Sequence, residues 1–312
     1  MSHSNLTRRA LLKALAAGAA GATLWPFAGR GAEIPDLTTK KIPSSGEPIP
    51  VVGMGTWQTF NVGGDTELRD QRTKVLKTFF DYGGGMVDSS PMYGSSQEVL
   101  GYALEKLGYP DGLFAADKVW TRDGSATRRG VERSRKKWRI ERFDLMQVHN
   151  LLAWREHLPT LQQMKEAGEI RYVGISTSHG RRHGDFARVM RNHDLDFVQL
   201  TYNILNRQVE DRLLPLAKER GIAVICNRPF GGGGVVDRFQ QGGHPLPDWA
   251  AEFGIANWPQ FLLKFVVSYP AVTCAIPATT QVEHMRENMG AARGELPDAK
   301  TRQRMLEYVQ SL

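Results

Sequence analysis

The sequence predicts an α/β chain that closes as a single (β/α)8 TIM barrel. Two observations carry that expectation. From residue 50 onward, eight short apolar runs alternate with eight longer stretches of helical periodicity, the pattern of repeated right-handed βα units. No Gly-x-Gly-x-x-Gly follows an early strand, which a doubly wound dinucleotide-binding sheet would need. With 41% hydrophobic and 23% charged residues, the composition is that of an ordinary globular protein, and disorder, collagen and coiled coil are excluded.

Taken in order, the strand candidates are residues 51–55, 85–88, 113–118, 144–148, 172–176, 197–200, 223–227 and 272–276. Between and after them lie helix candidates at 67–82, 97–107, 126–138, 157–167, 185–192, 211–220, 257–268 and 281–292. Residues 40–50, with the Ser44-Ser45-Gly46 turn, read as a hairpin plugging the barrel bottom, and 298–309 as a final helix outside the eightfold count. The two cysteines, Cys226 and Cys274, are too few for a disulfide framework and lack metal-ligand spacing, so no metal is expected and both read as small buried hydrophobes.

The first 32 residues read as an export signal and 33–312 as the barrel. Thr7-Arg8-Arg9-Ala10-Leu11-Leu12-Lys13 precedes an Ala/Gly/Leu run from Ala14 to Trp25, the layout of a signal peptide. That run falls short of the roughly 20 residues that span a bilayer, so no membrane span is expected after cleavage. The paired arginines resemble the twin-arginine signal. The resemblance implies the twin-arginine export machinery as a partner, export in the folded state and a periplasmic or secreted location. Arg8, Arg9, Lys13 and Arg30 are unopposed by acid in this segment, which leaves 36 basic against 33 acidic groups, +3, in the remainder. A nucleic-acid partner therefore loses its electrostatic support, and the basic run from Arg128 to Arg139 reads as a solvated helix face.

Active sites of such barrels form where strands end and βα loops begin. The second strand ends at Asp88 and runs through Ser89-Ser90-Pro91-Met92 to Tyr93; the third ends at Lys118, and the fourth leads into His149. An acid, a phenol, an amine and an imidazole thus meet on one rim. Tyrosine ordinarily titrates near 10. The Lys118 ammonium is expected to lower that value, Asp88 to keep Lys118 charged and in place, and His149 to steer a carbonyl oxygen toward the phenol.

The segment Val87-Asp88-Ser89-Ser90-Pro91-Met92-Tyr93-Gly94-Ser95-Ser96-Gln97 resembles the most recognisable stretch of the aldo-keto reductases, and the similarity runs from about Lys41 to Ala292. The resemblance implies metal-free hydride transfer between NADP or NAD and an aldehyde, ketone or alcohol. In it, Tyr93 is the general acid or base, Lys118 and Asp88 tune it, and His149 orients the small-molecule substrate. It also implies a cofactor site. Thr56 and Asp88 stand at its near end, and Ser176 in Gly174-Ile175-Ser176-Thr177 with Gln199 would hold the carboxamide, although Thr177 stands where Asn is usual. After the seventh strand, Asn227-Arg228-Pro229-Phe230-Gly231-Gly232-Gly233 replaces an aromatic-Ser-Pro-Leu-Gly segment: the stacking aromatic is lost, Arg228 faces either pyrophosphate or substrate, and Phe230 and Gly231 approach the phosphates. Thr279, Thr280, His284, Glu287 and Asn288 match the adenosine end. Ala278 and His284 occupy the places of a Lys and an Arg that read the 2′-phosphate, which makes NAD credible beside NADP. Trp57 and Trp120 match substrate-pocket aromatics. Two other readings use the same residues: a cofactor-binding regulatory barrel with little turnover, and a lyase forming a Schiff base on Lys118.

Overall fold

A computed structural model describes residues 37–178 and 180–312; the expected export signal lies outside these residues. The chain opens with a hairpin, β1 (Thr39–Lys41) against β2 (Pro48–Pro50), paired antiparallel. Eight parallel strands follow: β3 (Met54–Gly55), β4 (Met86–Asp88), β5 (Phe114–Val119), β6 (Phe143–Val148), β7 (Ile170–Ser176), β8 (Phe197–Thr201), β9 (Ala223–Asn227) and β10 (Cys274–Ala275). Each pairs with the next in sequence, and the bridge between Val52 and Ala275 brings the last strand back to the first. Gly53 N donates to Ala275 O at 2.8 Å, Ala275 N to Val51 O at 2.9 Å, and Gly55 N to Pro277 O at 2.9 Å, so the sheet closes as the expected barrel. These closing bonds continue the first and last strands in the manner of the longer runs expected at 51–55 and 272–276.

Helices α1 (Thr66–Asp81), α2 (Ser96–Leu107), α3 (Thr127–Trp138), α4 (Trp154–Glu166), α5 (His183–Asn192) and α6 (Leu213–Glu219) follow β4's predecessor through β8 in turn. After β9 come α7 (Gly234–Gln241) and α8 (Trp258–Val267), and after β10 come α9 (Val282–Gly290) and α10 (Ala299–Ser311). Helix α7 was not expected. Its apolar pair Val235 and Phe239, four apart and both buried, docks it, but four glycines mask its start because glycine is the weakest helix former after proline. Helix α6 begins at Leu213 rather than 211, since Gln208–Asp211 forms a separate 3-10 turn. The basic face of α3 is solvated and paired with acids: Arg128 meets Glu169, Lys137 meets Glu98, and Arg135 meets Glu132. No helix among the described residues is long and apolar enough to cross a membrane.

Strand periodicity sorts the interior into layers. Successive side chains alternate between the barrel lumen and the helices. On β5, Phe114 and Ala116 join the lumen cluster, whereas Ala115 and Val119 join the shell beneath the helices. The lower lumen is apolar: Met86, Phe114, Leu145, Tyr172, Phe197, Ala223 and Ile225 pack together under Ile42 and Ile49 of the hairpin. Lys40 fastens that plug, with Nζ donating to the carbonyls of Val267 (2.6 Å), Tyr269 (3.0 Å) and Val272 (2.7 Å). Two or four residues further along the strands stand Asp88, Lys118, Gln147, Ser176, Gln199 and Asn227, all buried. The same alternation that builds the apolar floor therefore places a polar layer at the opposite end.

Candidate active site

Asp88 is the hub of that layer. Its Oδ2 accepts from Lys118 Nζ at 2.6 Å, and its Oδ1 accepts from Gln199 Nε2 at 2.9 Å and Gln147 Nε2 at 3.3 Å. Lys118 Nζ also donates to Ser89 O at 2.8 Å, and both members of the ion pair are essentially without solvent contact. The neighbouring Asp117 points the other way and accepts from Gln97 Nε2 and Trp138 Nε1, each at 2.7 Å, which pins β5 with Lys118 facing inward. Burial in itself would strip a proton from Lys118, but the Asp88 carboxylate outweighs it and holds the ammonium above its ordinary value.

Tyr93 rides on the loop after β4, fixed by its N–H to Ser90 O at 2.9 Å and by the acceptance of Ser96 N at 3.2 Å. Gly94 follows at φ +62°, and a Cβ there would collide with the Asn61 side chain at 2.2 Å, so the turn that presents Tyr93 needs glycine. The Lys118 ammonium lies 5.2 Å from the Tyr93 ring centroid. Burial raises the Tyr93 phenol above the ordinary tyrosine value, and Lys118 offsets this only in part. The net shift is opposite to the sequence expectation, which weighed the ammonium and not the loss of water. A phenol so placed stays protonated at neutral pH.

His149 stands edge-on to Tyr93, with ring centroids 5.9 Å apart, and its Nδ1 lies 3.1 Å from Ser90 Oγ. Trp120 packs against the other side of His149 at 5.0 Å. A cavity of about 250 Å³ opens above this group. Thr56, Trp57, Asp88, Tyr93, His149, Gln199, Arg228 and Phe230 all line it, as expected, together with Met92, Asn227, Ile276 and Ala278.

Other expected residues fall elsewhere. Lys118 lies beneath the cavity rather than on its wall, and Ser176, buried, receives Asn150 N at 3.3 Å. Within the glycine run the cavity wall is Gly232 and Gly233 rather than Gly231. Trp120, one residue past the end of β5, lines a separate cavity with Asn150, Trp154 and Arg182 while its ring packs on His149. Thr279 and Asn288 are buried and Thr280 and His284 exposed, with Glu287 half-buried; all five lie from the β10–α9 loop along α9, outside the walls of the main cavity.

The expectation singled out neither Gln147 nor Ser90, and treated Asn227 only as a missing aromatic. Asn227 Oδ1 accepts from Thr201 Oγ1 at 2.7 Å, while its Nδ2 donates to Thr177 O at 2.9 Å and approaches Gln199 Oε1 at 3.4 Å. Asn227 thus extends an amide shelf from Gln199 across the cavity floor. Buried Gln147 Oε1 has no hydrogen-bond partner among the described residues. Gln147 and Asn227 were both visible in the sequence as polar residues at strand ends two beyond an inward apolar one, Leu145 and Ile225.

The aldo/keto reductase family model matches residues 51–303. Among curated relatives, the aldo-keto reductase YhdN of Bacillus subtilis (strain 168) is 29% identical over 192 residues, a match spanning 56% of each chain. The NADH-specific methylglyoxal reductase of Escherichia coli (strain K12) is 24% identical over 324 residues, 83% of this chain and 95% of that one. A solved aldo/keto reductase from Klebsiella pneumoniae, in complex with NADP and acetate, superposes with a TM-score of 0.70 at 23% identity, covering 85% of this chain and 92% of its own. With a family match across most of its length and a barrel of the same architecture, the chain belongs to the aldo/keto reductase family.

Proposed function

We propose that the protein is an NAD(P)H-dependent oxidoreductase that interconverts aldehydes or ketones and alcohols, with Tyr93 as the proton donor. The observation that carries this reading is the buried Asp88–Lys118 pair under Tyr93, beside His149, at the floor of one cavity. Reduced nicotinamide, when bound, supplies the hydride. The chain's own residues do the rest. Gln199 and Asn227 present amide groups on the cavity wall suited to a carboxamide edge, while position 227 supplies no aromatic face. Gly232 and Gly233 form the cavity wall beside Arg228, where the lack of a side chain lets a phosphate approach the backbone; the Gly233 N–H itself is given to Phe230 O at 2.9 Å.

During reduction the carbonyl oxygen gains negative charge, and the Tyr93 hydroxyl delivers a proton to it. Lys118, held charged by Asp88, stabilises the phenolate left behind. His149, fixed by Ser90 and Trp120, orients the oxygen. A lyase role for Lys118 is disfavoured, because Schiff-base chemistry needs a free amine in contact with substrate and this ammonium is paired and covered.

Fluorescence titration with NADPH and NADH, followed by carbonyl-dependent oxidation of whichever binds, tests the reading; failure of both nucleotides to bind would overturn it. The E. coli relative is named for NADH and the Klebsiella structure for NADP, and here Ala278 and His284 carry no fixed positive charge for a 2′-phosphate. Replacing them together, Ala278→Lys with His284→Arg, is expected to move the NADPH:NADH affinity ratio about tenfold toward NADPH. Unchanged affinities would remove these positions from cofactor choice.

The segment from Arg8 to Trp25 supports export through the twin-arginine machinery to the periplasm or beyond, the cofactor travelling bound. Substituting Lys for both Arg8 and Arg9 is expected to retain the protein in the cytoplasm, and export at an unchanged level would refute this route.

A further inference from the structure

Among the described residues, the rim of the main cavity carries one cation without a counter-charge, Arg228. Arg228 lies half-buried on the cavity wall, and its guanidinium rests over the Trp57 ring at 4.9 Å from the centroid. None of its N–H donors reaches a carboxylate or any other described acceptor. Arg128, Arg129 and Arg135 of α3, by contrast, pair with Glu169, Asp123 and Glu132. The acid that does line the cavity, Asp88, is already committed to Lys118.

The backbone of Arg228 is also held in a costly shape. Its φ is +52°, in the left-handed region where glycine or asparagine sits with least strain. Asn203 Nδ2 at 3.1 Å and Gly231 N at 2.9 Å both donate to its carbonyl and lock that turn. An arginine is therefore rooted rigidly at a position whose backbone favours a residue without a long side chain. Its guanidinium is laid on an aromatic face that it shares with the chamber of Tyr93 and His149.

We infer that Arg228 is the anion receptor of the substrate pocket, and that the substrates are small carbonyl compounds carrying a carboxylate. This deepens the reductase reading and rests on it. A guanidinium recognises a planar carboxylate through paired N–H donors while its face stacks on an indole, and the chamber offers that anion no competing negative charge. The remaining walls, Trp57, Met92, Phe230 and Ile276, are apolar and suit the carbon skeleton between the carbonyl and the acid. An anion on this guanidinium has two possible sources, the substrate or the cofactor pyrophosphate. The contact with Trp57 favours the substrate, since that ring lines the same cavity as Tyr93 and His149.

The test compares 4-oxobutanoate with butanal, equal in carbon count and differing in the terminal carboxylate, for the full-length wild type, Arg228→Met and Arg228→Lys. The wild type is expected to prefer the acid. Arg228→Met should lower the acid-to-neutral ratio of kcat/KM at least about tenfold, mainly through KM, and Arg228→Lys should recover part of it. Equal losses on both aldehydes, together with weaker NADPH binding, would assign the guanidinium to the pyrophosphate and overturn the proposal. Wild-type preference for butanal would overturn it while leaving the reductase reading intact. Nucleotide binding with neither these nor other aldehydes or ketones turned over would overturn both.

Discussion

The two ends of the barrel each hold a sequestered lysine, and the two are treated in opposite ways. At the bottom, Lys40 faces three backbone carbonyls, and burial pulls its ammonium down to about 8. At the top, Lys118 is more deeply buried, yet the Asp88 carboxylate keeps it charged and above its ordinary value. Carbonyl dipoles can tie down an amine without securing its proton; a formal charge at 2.6 Å secures the proton as well. The bottom lysine fastens a plug, and the top one serves as a fixed positive charge.

Breaking the upper pair should give the largest effect. Lys118→Met removes the charge and leaves Asp88 buried and unpaired, a loss of about 3–5 kcal/mol in unfolding free energy, readable by urea titration. Activity should fall about a hundredfold or more in the same protein. Adding Asp88→Asn is expected to restore much of the stability and none of the activity; recovery of turnover would show that the ammonium is dispensable. Tyr93→Phe should abolish reduction by a factor of about 10² to 10⁴ while nucleotide affinity stays within threefold. Because burial holds the phenol above its ordinary value, wild-type reduction should be flat from about pH 6 to 9 and decline only beyond the ordinary tyrosine value of about 10. A decline centred near 7 would assign the proton to another group.

The lower lysine gives the smallest effect and the sharpest contrast. Lys40→Met should cost about 1–3 kcal/mol of stability with kcat unchanged within twofold. The folded value of Lys40 lies below the unfolded one, so the unfolded chain binds more protons between about 8 and 10.5, and stability from this residue rises with pH across that window. Lys118 has the reverse sign: its contribution is complete below the unfolded lysine value and is lost as pH climbs through its raised folded one. Parallel pH dependences for the two single mutants would refute the contrast.

Much of this site was readable in one dimension, because a strand alternates. Asp88 and Lys118 stood out as polar residues at strand ends, where barrel active sites form, and the loop carrying Tyr93 followed directly. Gln147 obeyed the same rule but was passed over, and Asn227 was read only as a lost aromatic, since an amide attracts attention only once its partner is known. Trp120 borders a neighbouring cavity and meets the main one only through His149, a division that proximity to Lys118 along the chain does not reveal. Helix α7 was hidden by its glycines. The sign of the Tyr93 shift depended on solvent exclusion, which no linear spacing reports.

The closing contacts of the barrel join the two extremes of the described chain. Val51 and Gly53 bond to Ala275, Lys40 reaches Val272, and Thr38 bonds to Ala292. Until residue 275 has left the ribosome, the first strand has no partner on one side and presents an open, adhesive edge. The barrel is thus completed only after nearly all of the chain has been synthesised, and the interval before closure is when the nascent protein is most open to aggregation or chaperone capture.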